Sequence, residues 1–237
     1  MDQPTVTKEA KKTTDLFDKC RAFTRADEIK ASGYYPYFRE YEDKPQFYMT
    51  LEQNVHTTLE IDLLAINQSL NGSSIKKIHK LLSIIASLVP FTPDMKQLKN
   101  LLGIGDERTL KTYLKYLEDA GVILTVSKGG KGLREMEKPE KIYLNNPNLY
   151  HAMAEGRQPG AGAMRETFFL NMLHTGHAVS VPARGDFLVD DTMTFEVGGK
   201  NKDTGQISSI ANAWLALDNI EIGQGNRIPL WLFGFIY

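Results

Sequence analysis

The sequence predicts a mixed α+β protein in three parts: a helical segment, a helical unit closed by a hairpin, and a small α/β unit. Three observations carry this. Apolar residues recur every four positions from Leu51 to Leu63. Three short amphipathic patterns with capping residues then lead into "VILTVSKGGKGLREMEKPEKIYL", two strands around a glycine-lysine loop. Beyond residue 160 a helical pattern gives way to short runs of β-branched and aromatic residues between turns, the signature of a sheet.

The bulk composition sets the bounds. The chain has 237 residues, 42% hydrophobic and 24% charged, which is ordinary for a globular protein and enough to bury a sizeable core. A net charge of -1 excludes a general basic field, so any nucleic-acid surface must be local. Cys20 is the single cysteine, which rules out an internal disulfide and an all-cysteine zinc site and fits a reducing cytoplasm. The start has no apolar signal region, and the most apolar run, "IPLWLFGFIY", is about half the ~20 residues that span a bilayer. The expectation is a cytoplasmic protein with no membrane partner.

Residues 1–22 read as a polar, lysine-rich lead. The segment 23–72 holds a helix end at Gly33, an aromatic turn (Tyr34, Tyr35, Tyr37, Phe38) suited to packing, and a helix burying Leu51, Val55, Leu59 and Leu63. In 73–150, Ser73 and Ser74 are expected to cap a helix with the stripe Ile78, Leu82, Ile85 and Val89. Thr92-Pro93-Asp94 reads as a cap with proline at the first helical position. Asp106 opens a third helix, which buries Leu110, Leu114 and Leu117 and stops at Gly121. Three helices and a hairpin form a winged helix-turn-helix pattern. Arg108, Lys111 and Lys115 on the third helix, with Lys128 and Lys131 on the wing, are the candidate DNA-phosphate contacts.

"NNPNLYHAMAEGRQPGAG" is the expected seam before a unit at 151–237. There "AMRETFFLNMLHTGH" reads as helix, "AVSVPA", "DFLVD" and "TMTFEVGGK" as strands, "GQISSIANAWLALDN" as helix and "IPLWLFGFI" as strand. The chemistry turns on "DFLVDDTMTFEV". With a three-residue turn, Asp186 lies opposite Glu196 and two carboxylates share a face; a two-residue turn slips the register and separates them. Two such acids suit Mg²⁺ or Mn²⁺. Nucleases of the PD-(D/E)xK type add a lysine two residues after the second acid, but position 198 is Gly and the lysines come at Lys200 and Lys202. Lys200 is the expected electrophilic helper. Neither "GGKGLRE" nor "GGKNKD" has the spacing of an ATP-binding phosphate loop. His56, His79, His151, His174 and His177 show no Cys/His zinc spacing.

"LGIGDERTLKTYLKYLEDAGVI", "KIYLNNPNL", "RETFFLNML" and "FEVGGKNK" followed by "QI" together resemble the C-terminal region of prokaryotic AAA-family ATPases. "GYYPYF" and "LEQNVHTTLEIDLLAI" resemble the lid helices that follow the ATPase core. The resemblance covers roughly residues 25–237. It implies a lid remnant, a winged helix and a restriction-endonuclease-like domain, with ATP bound only in a longer parent. It also implies site roles for Glu166 on the first helix of that domain, for Asp186 and Glu196 as strand acids, and for Gln206 at the next helix start. Two functions follow as expectations. One is DNA binding or processing with a metal-dependent, degenerate nuclease-like site. The other is a catalytically inactive module for a protein partner or self-association.

Overall fold

A computed structural model describes residues 34–128, 138–153 and 160–236. Those residues contain seven α-helices and two sheets, the mixed α+β composition that the sequence predicts. Asp43 caps α1 (Lys44–Thr57) by accepting from the Gln46 amide at 2.9 Å. The helix runs through a wider π-turn, Thr58–Asp62, into α2 (Leu63–Ile66). The wide turn has a reason in the sequence. Leu51, Val55, Leu59 and Leu63 are all buried, yet a strict four-residue period drifts around a helix of 3.6 residues per turn. One underwound turn brings the last two back onto the buried side. The aromatic residues before α1 pack as expected: Tyr35, Tyr37, Phe38 and Tyr41 place their rings within 5.7–6.4 Å of Phe47.

Three further helices follow, each with a side-chain cap: α3 (Gly72–Leu88), α4 (Met95–Leu101) and α5 (Glu107–Asp119). Two of the caps differ from expectation. Asn71 rather than Ser73 or Ser74 accepts from the Ser74 amide at α3, and Asp94 rather than Thr92 accepts from the Gln97 amide at α4. In both cases the side chain bonding the amide three residues on is the one that remains extended. Asp106 caps α5 as predicted. Gly121, at φ 67°, turns the chain into β1 (Ile123–Val126), which pairs antiparallel with β2 (Lys141–Leu144). Phe91 also exchanges two backbone hydrogen bonds with Ile142, so the ribbon has a third, one-residue partner.

The stretch read as a seam contains the helix α6 (Pro147–Met153), with Pro147, Asn148, Leu149 and Tyr150 buried. After α7 (Ala161–Leu173) comes a five-stranded sheet: β3 (Val179–Ser180), β4 (Phe187–Val189), β5 (Met193–Gly199), β6 (Ala213–Asp218) and β7 (Arg227–Pro229), in that spatial order. The first two pairings are antiparallel and the last two parallel. Two expectations fail here. "AWLALD" is strand β6 and not helix, because its side chains alternate: Leu215 and Leu217 pack with Ile207, while Ala216 joins the opposite core. The final "LWLFGF" is a 3₁₀ helix and not a strand. Leu230 and Phe233, three apart, bury on one side, and the Phe233 ring packs tilted against Phe169 with centroids 4.7 Å apart.

The ribbon lies between two apolar clusters. Ile123, Ile142 and Leu144 face the cluster of α1 to α6; Val126 and Tyr143 join the cluster of α7 and the large sheet. A hydrogen bond from Val181 N–H to the Ser127 carbonyl (2.9 Å) ties the ribbon to β3. This docking carries Lys141 and Tyr143 to the sheet.

Gly185 sets the start of β4. Its φ is +90°, and an added Cβ would lie 2.9 Å from Thr194 Cγ2 and 3.2 Å from the Phe195 oxygen. Gly185→Ala is expected to lower stability by about 1–3 kcal/mol in urea unfolding, the scale of one strained backbone residue; unchanged stability would contradict this packing.

Candidate functional site

The connection between β4 and β5 takes three residues, Asp190 to Thr192, and Val189 pairs with Met193. This is the turn that the two-acid reading requires. Asp190 and Asp191 adopt left-handed φ values of 51° and 57°, which aspartate tolerates better than most residues. Asp190 also ties this turn to the chain entering β3, accepting from the Ala178 amide at 3.0 Å and meeting His177 Nδ1 at 2.7 Å. The Phe187–Phe195 register continues toward Asp186 opposite Glu196, but ladder pairing stops there. The Asp186 N–H donates to the Phe195 carbonyl, and its Oδ2 accepts from the Val197 amide at 2.8 Å. The carboxylate therefore replaces a main-chain partner where the ladder ends, bound to the amide of the residue after Glu196.

Glu196 sits on the central strand, paired to β6, and is only 1% exposed. The Lys202 ammonium lies 2.6 Å from its Oε1, while Oε2 has no hydrogen-bond partner among the described residues. How Lys202 reaches Glu196 answers the problem posed by Gly198. A turn closed by Lys202 N–H on the Gly199 carbonyl folds the chain back. A Cβ built on Gly198 would lie 2.8 Å from both Cβ and Cγ of Lys202. The Lys202 stem thus fills the room that a side chain at 198 would need.

Lys200, the expected helper, is exposed on that turn and pairs with no carboxylate among the described residues; the lysine that meets Glu196 is Lys202. Gln206 is likewise exposed and is not brought to the acids, because the helix it was expected to open is a run of turns. Glu166 is brought in, from α7. Tyr143 donates to its Oε2 at 2.7 Å, and Lys141 Nζ lies 3.7 Å from Glu166 and 3.9 Å from Asp186. Lys141 and Tyr143 are the residues the sequence reading missed. The signal was present: they alternate with Ile142 on a strand, so both point away from the core that Ile142 enters.

Burial, then the charge of Asp186, raises the Glu166 pKa from its ordinary value, against the pull of Tyr143, Lys141 and Lys202. Burial also opposes the charge on Lys202, but the Glu196 hydrogen bond and the three carboxylates outweigh it and raise its pKa. Burial and Glu166 keep the Tyr143 hydroxyl protonated, as a donor.

The described basic candidates lie on α5 and just after β1. Arg108 is exposed. Lys111 pairs with Glu107 at 3.3 Å, Lys115 with Asp119 at 2.9 Å, and Lys128 with Glu140 at 3.4 Å. Lys111, Lys115 and Lys128 line a groove of about 320 Å³ with Thr125 and Ser180. Exposed pairs of this kind contribute only ~0.2–1 kcal/mol each. Lys131 lies outside the described residues. No described helix is long and apolar enough to cross a membrane.

The family of this fold is known by sequence but not by role. The chain belongs to the family described as a domain of unknown function, DUF8612, whose sequence model matches residues 24–159. The match takes in the helices and the ribbon with Lys141 and Tyr143, and stops short of α7 and the strand acids. No curated protein and no solved structure matches the chain.

The raised Glu166 pKa has a stability consequence. Below the ordinary value of 4.5 the proton is bound in both states; as pH rises through the raised folded value, ionisation in the buried site costs the folded state stability. Urea unfolding from pH 4 to 7 should show wild type losing stability relative to Glu166→Gln; parallel profiles would contradict the buried-acid geometry.

Proposed function

We propose that the chain is a DNA-binding module with a metal-dependent nuclease-like site, working as the C-terminal part of a longer AAA-family ATPase, as the sequence resemblance implies. Helices α3, α4 and α5, the bridge at Phe91 and the β1–β2 ribbon follow the element order of a winged helix. The groove lined by Lys111, Lys115 and Lys128 supports backbone contact with a duplex. The nuclease-like reading rests chiefly on one observation: Lys202 occupies the space and meets the carboxylate that a lysine at 198 would.

The residues fit a hard divalent cation. Their donors are carboxylate oxygens, and Glu196 keeps one buried oxygen unpartnered. Asp186 and Glu196 would hold Mg²⁺ or Mn²⁺, with Glu166 beside them. Such a cation, when bound, polarises a phosphoryl oxygen and makes its water acidic. The chain's own groups do the rest. Lys202 holds positive charge where negative charge develops on phosphate, Lys141 spans Glu166 and Asp186, and Tyr143 fixes Glu166 through its hydroxyl.

A second reading, an inactive module for a protein partner or self-association, draws on a different observation. Both lysines already pair with acids, and among the described residues the three carboxylates do not gather with their ligand atoms within 4.8 Å of one another. Mn²⁺ calorimetry with a plasmid-nicking assay separates the two. The nuclease reading expects a saturable Mn²⁺ site that Glu196→Ala abolishes. It also expects nicking to fall roughly 10²–10³-fold in Lys202→Ala, as when an electrostatic stabiliser is removed, and to persist in Lys200→Ala. No Mn²⁺ heat and no nicking would leave the interaction module.

A further inference from the structure

The π-turn in the first helix brings together three side chains that the acidic site does not use. His56 and Glu60 lie four residues apart across its start, and His79 reaches them from α3. The two imidazole rings stack, with centroids 4.8 Å apart and planes 20° apart. Glu60 Oε1 lies 3.3 Å from His79 Nε2 and 3.9 Å from His56 Nδ1, and one ligand atom from each residue falls within 4.8 Å of the others. His79 Nε2 is buried and makes no hydrogen bond. A buried nitrogen that makes no hydrogen bond is costly even with a carboxylate oxygen 3.3 Å away, and a shared ligand would satisfy both.

We propose that His56, Glu60 and His79 form a site for a zinc-class transition-metal ion that clips α1 to α3. Tetrahedral zinc, with ligands at about 2.0–2.2 Å, sets its donor atoms roughly 3.3–3.6 Å apart. The 3.3 Å separation already has that spacing, and closing the 3.9 Å one requires the stacked imidazoles to turn so that both lone pairs face the ion. Two imidazoles and one carboxylate suit such an ion better than Mg²⁺, which prefers oxygen donors. Glu60 is exposed, which leaves water to complete the coordination. Glu52 lies 3.8 Å from His56 Nε2, where a carboxylate orients a metal-bound imidazole through its other nitrogen. The site escapes a search for Cys/His spacing because its ligands come from two helices and only His56 and Glu60 are close in sequence. It lies within the family-matched region.

The test is Zn²⁺ titration of the chelator-treated full chain by calorimetry, with Co²⁺ substitution read by visible absorption. The expected result is one saturable Zn²⁺ site, a tetrahedral Co²⁺ spectrum, and a melting temperature raised by Zn²⁺. Binding should weaken at least tenfold in Glu60→Ala, at an exposed position, and in His56→Gln, at a half-buried one that keeps the side chain polar. It should be unchanged in Glu196→Ala, which separates this site from the carboxylate cluster. No saturable heat in the wild type, or heat that persists in Glu60→Ala and His56→Gln alike, would overturn the proposal.

Discussion

The C-terminal half of the molecule is arranged around one ion pair, between the buried carboxylate of Glu196 and the ammonium of Lys202. A carboxylate on the central strand of a sheet, 1% exposed, would cost several kcal/mol of desolvation if left alone. Only a cation delivered into the same space can offset that. The Gly198-Gly199 pair and the turn that follows make the delivery possible, because Gly198 leaves a void along the strand that the Lys202 stem occupies. Glycine at 198 and lysine at 202 are thus two halves of one solution.

The rest of the site depends on how the ribbon is held. Burying Ile142 on one side and Tyr143 on the other leaves β2 little freedom to slide or rotate, since a slip of one residue would exchange the two. Lys141 and the Tyr143 hydroxyl are therefore positioned by the packing of both clusters, and Glu166 receives its partners from a different sheet. Helix α5, the ribbon and β3 together border the lysine-lined groove. A lysine-lined groove and a carboxylate cluster are thus tied to one two-stranded element.

Much of this was legible in the residues, and the misses share a cause. The helices with a cap and an apolar stripe, such as Asp106 with Leu110, Leu114 and Leu117, form where their local signals place them. The register that brings Asp186 toward Glu196 was legible up to one open variable, the length of the turn, which the left-handed Asp190 and Asp191 settle at three residues. What local signals do not carry is a partner supplied from a distance. Lys202 was passed over for Lys200 because strand alternation says nothing about a chain that doubles back through glycines. Lys141 and Tyr143 arrive through docking of the ribbon, and β6 looks helical until β5 and β7 pair with both its edges. The His56–Glu60–His79 cluster likewise needs α1 and α3 to be packed before it exists.

The central claim is that Lys202 stands in for a lysine at 198, and moving the lysine tests it most directly. The exchange must remove the Lys202 Cβ as well, which lies 2.8 Å from where a Cβ at 198 would be, so the second substitution is to glycine and not alanine. The measurement is urea unfolding of Lys202→Gly and of the double variant Gly198→Lys with Lys202→Gly. The account predicts that Lys202→Gly loses about 3–5 kcal/mol, the scale for stranding one partner of a buried ion pair, drawn toward the lower end by the partial exposure of Lys202. It predicts that the double variant recovers most of that loss. A double variant no more stable than Lys202→Gly would contradict the equivalence of the two positions.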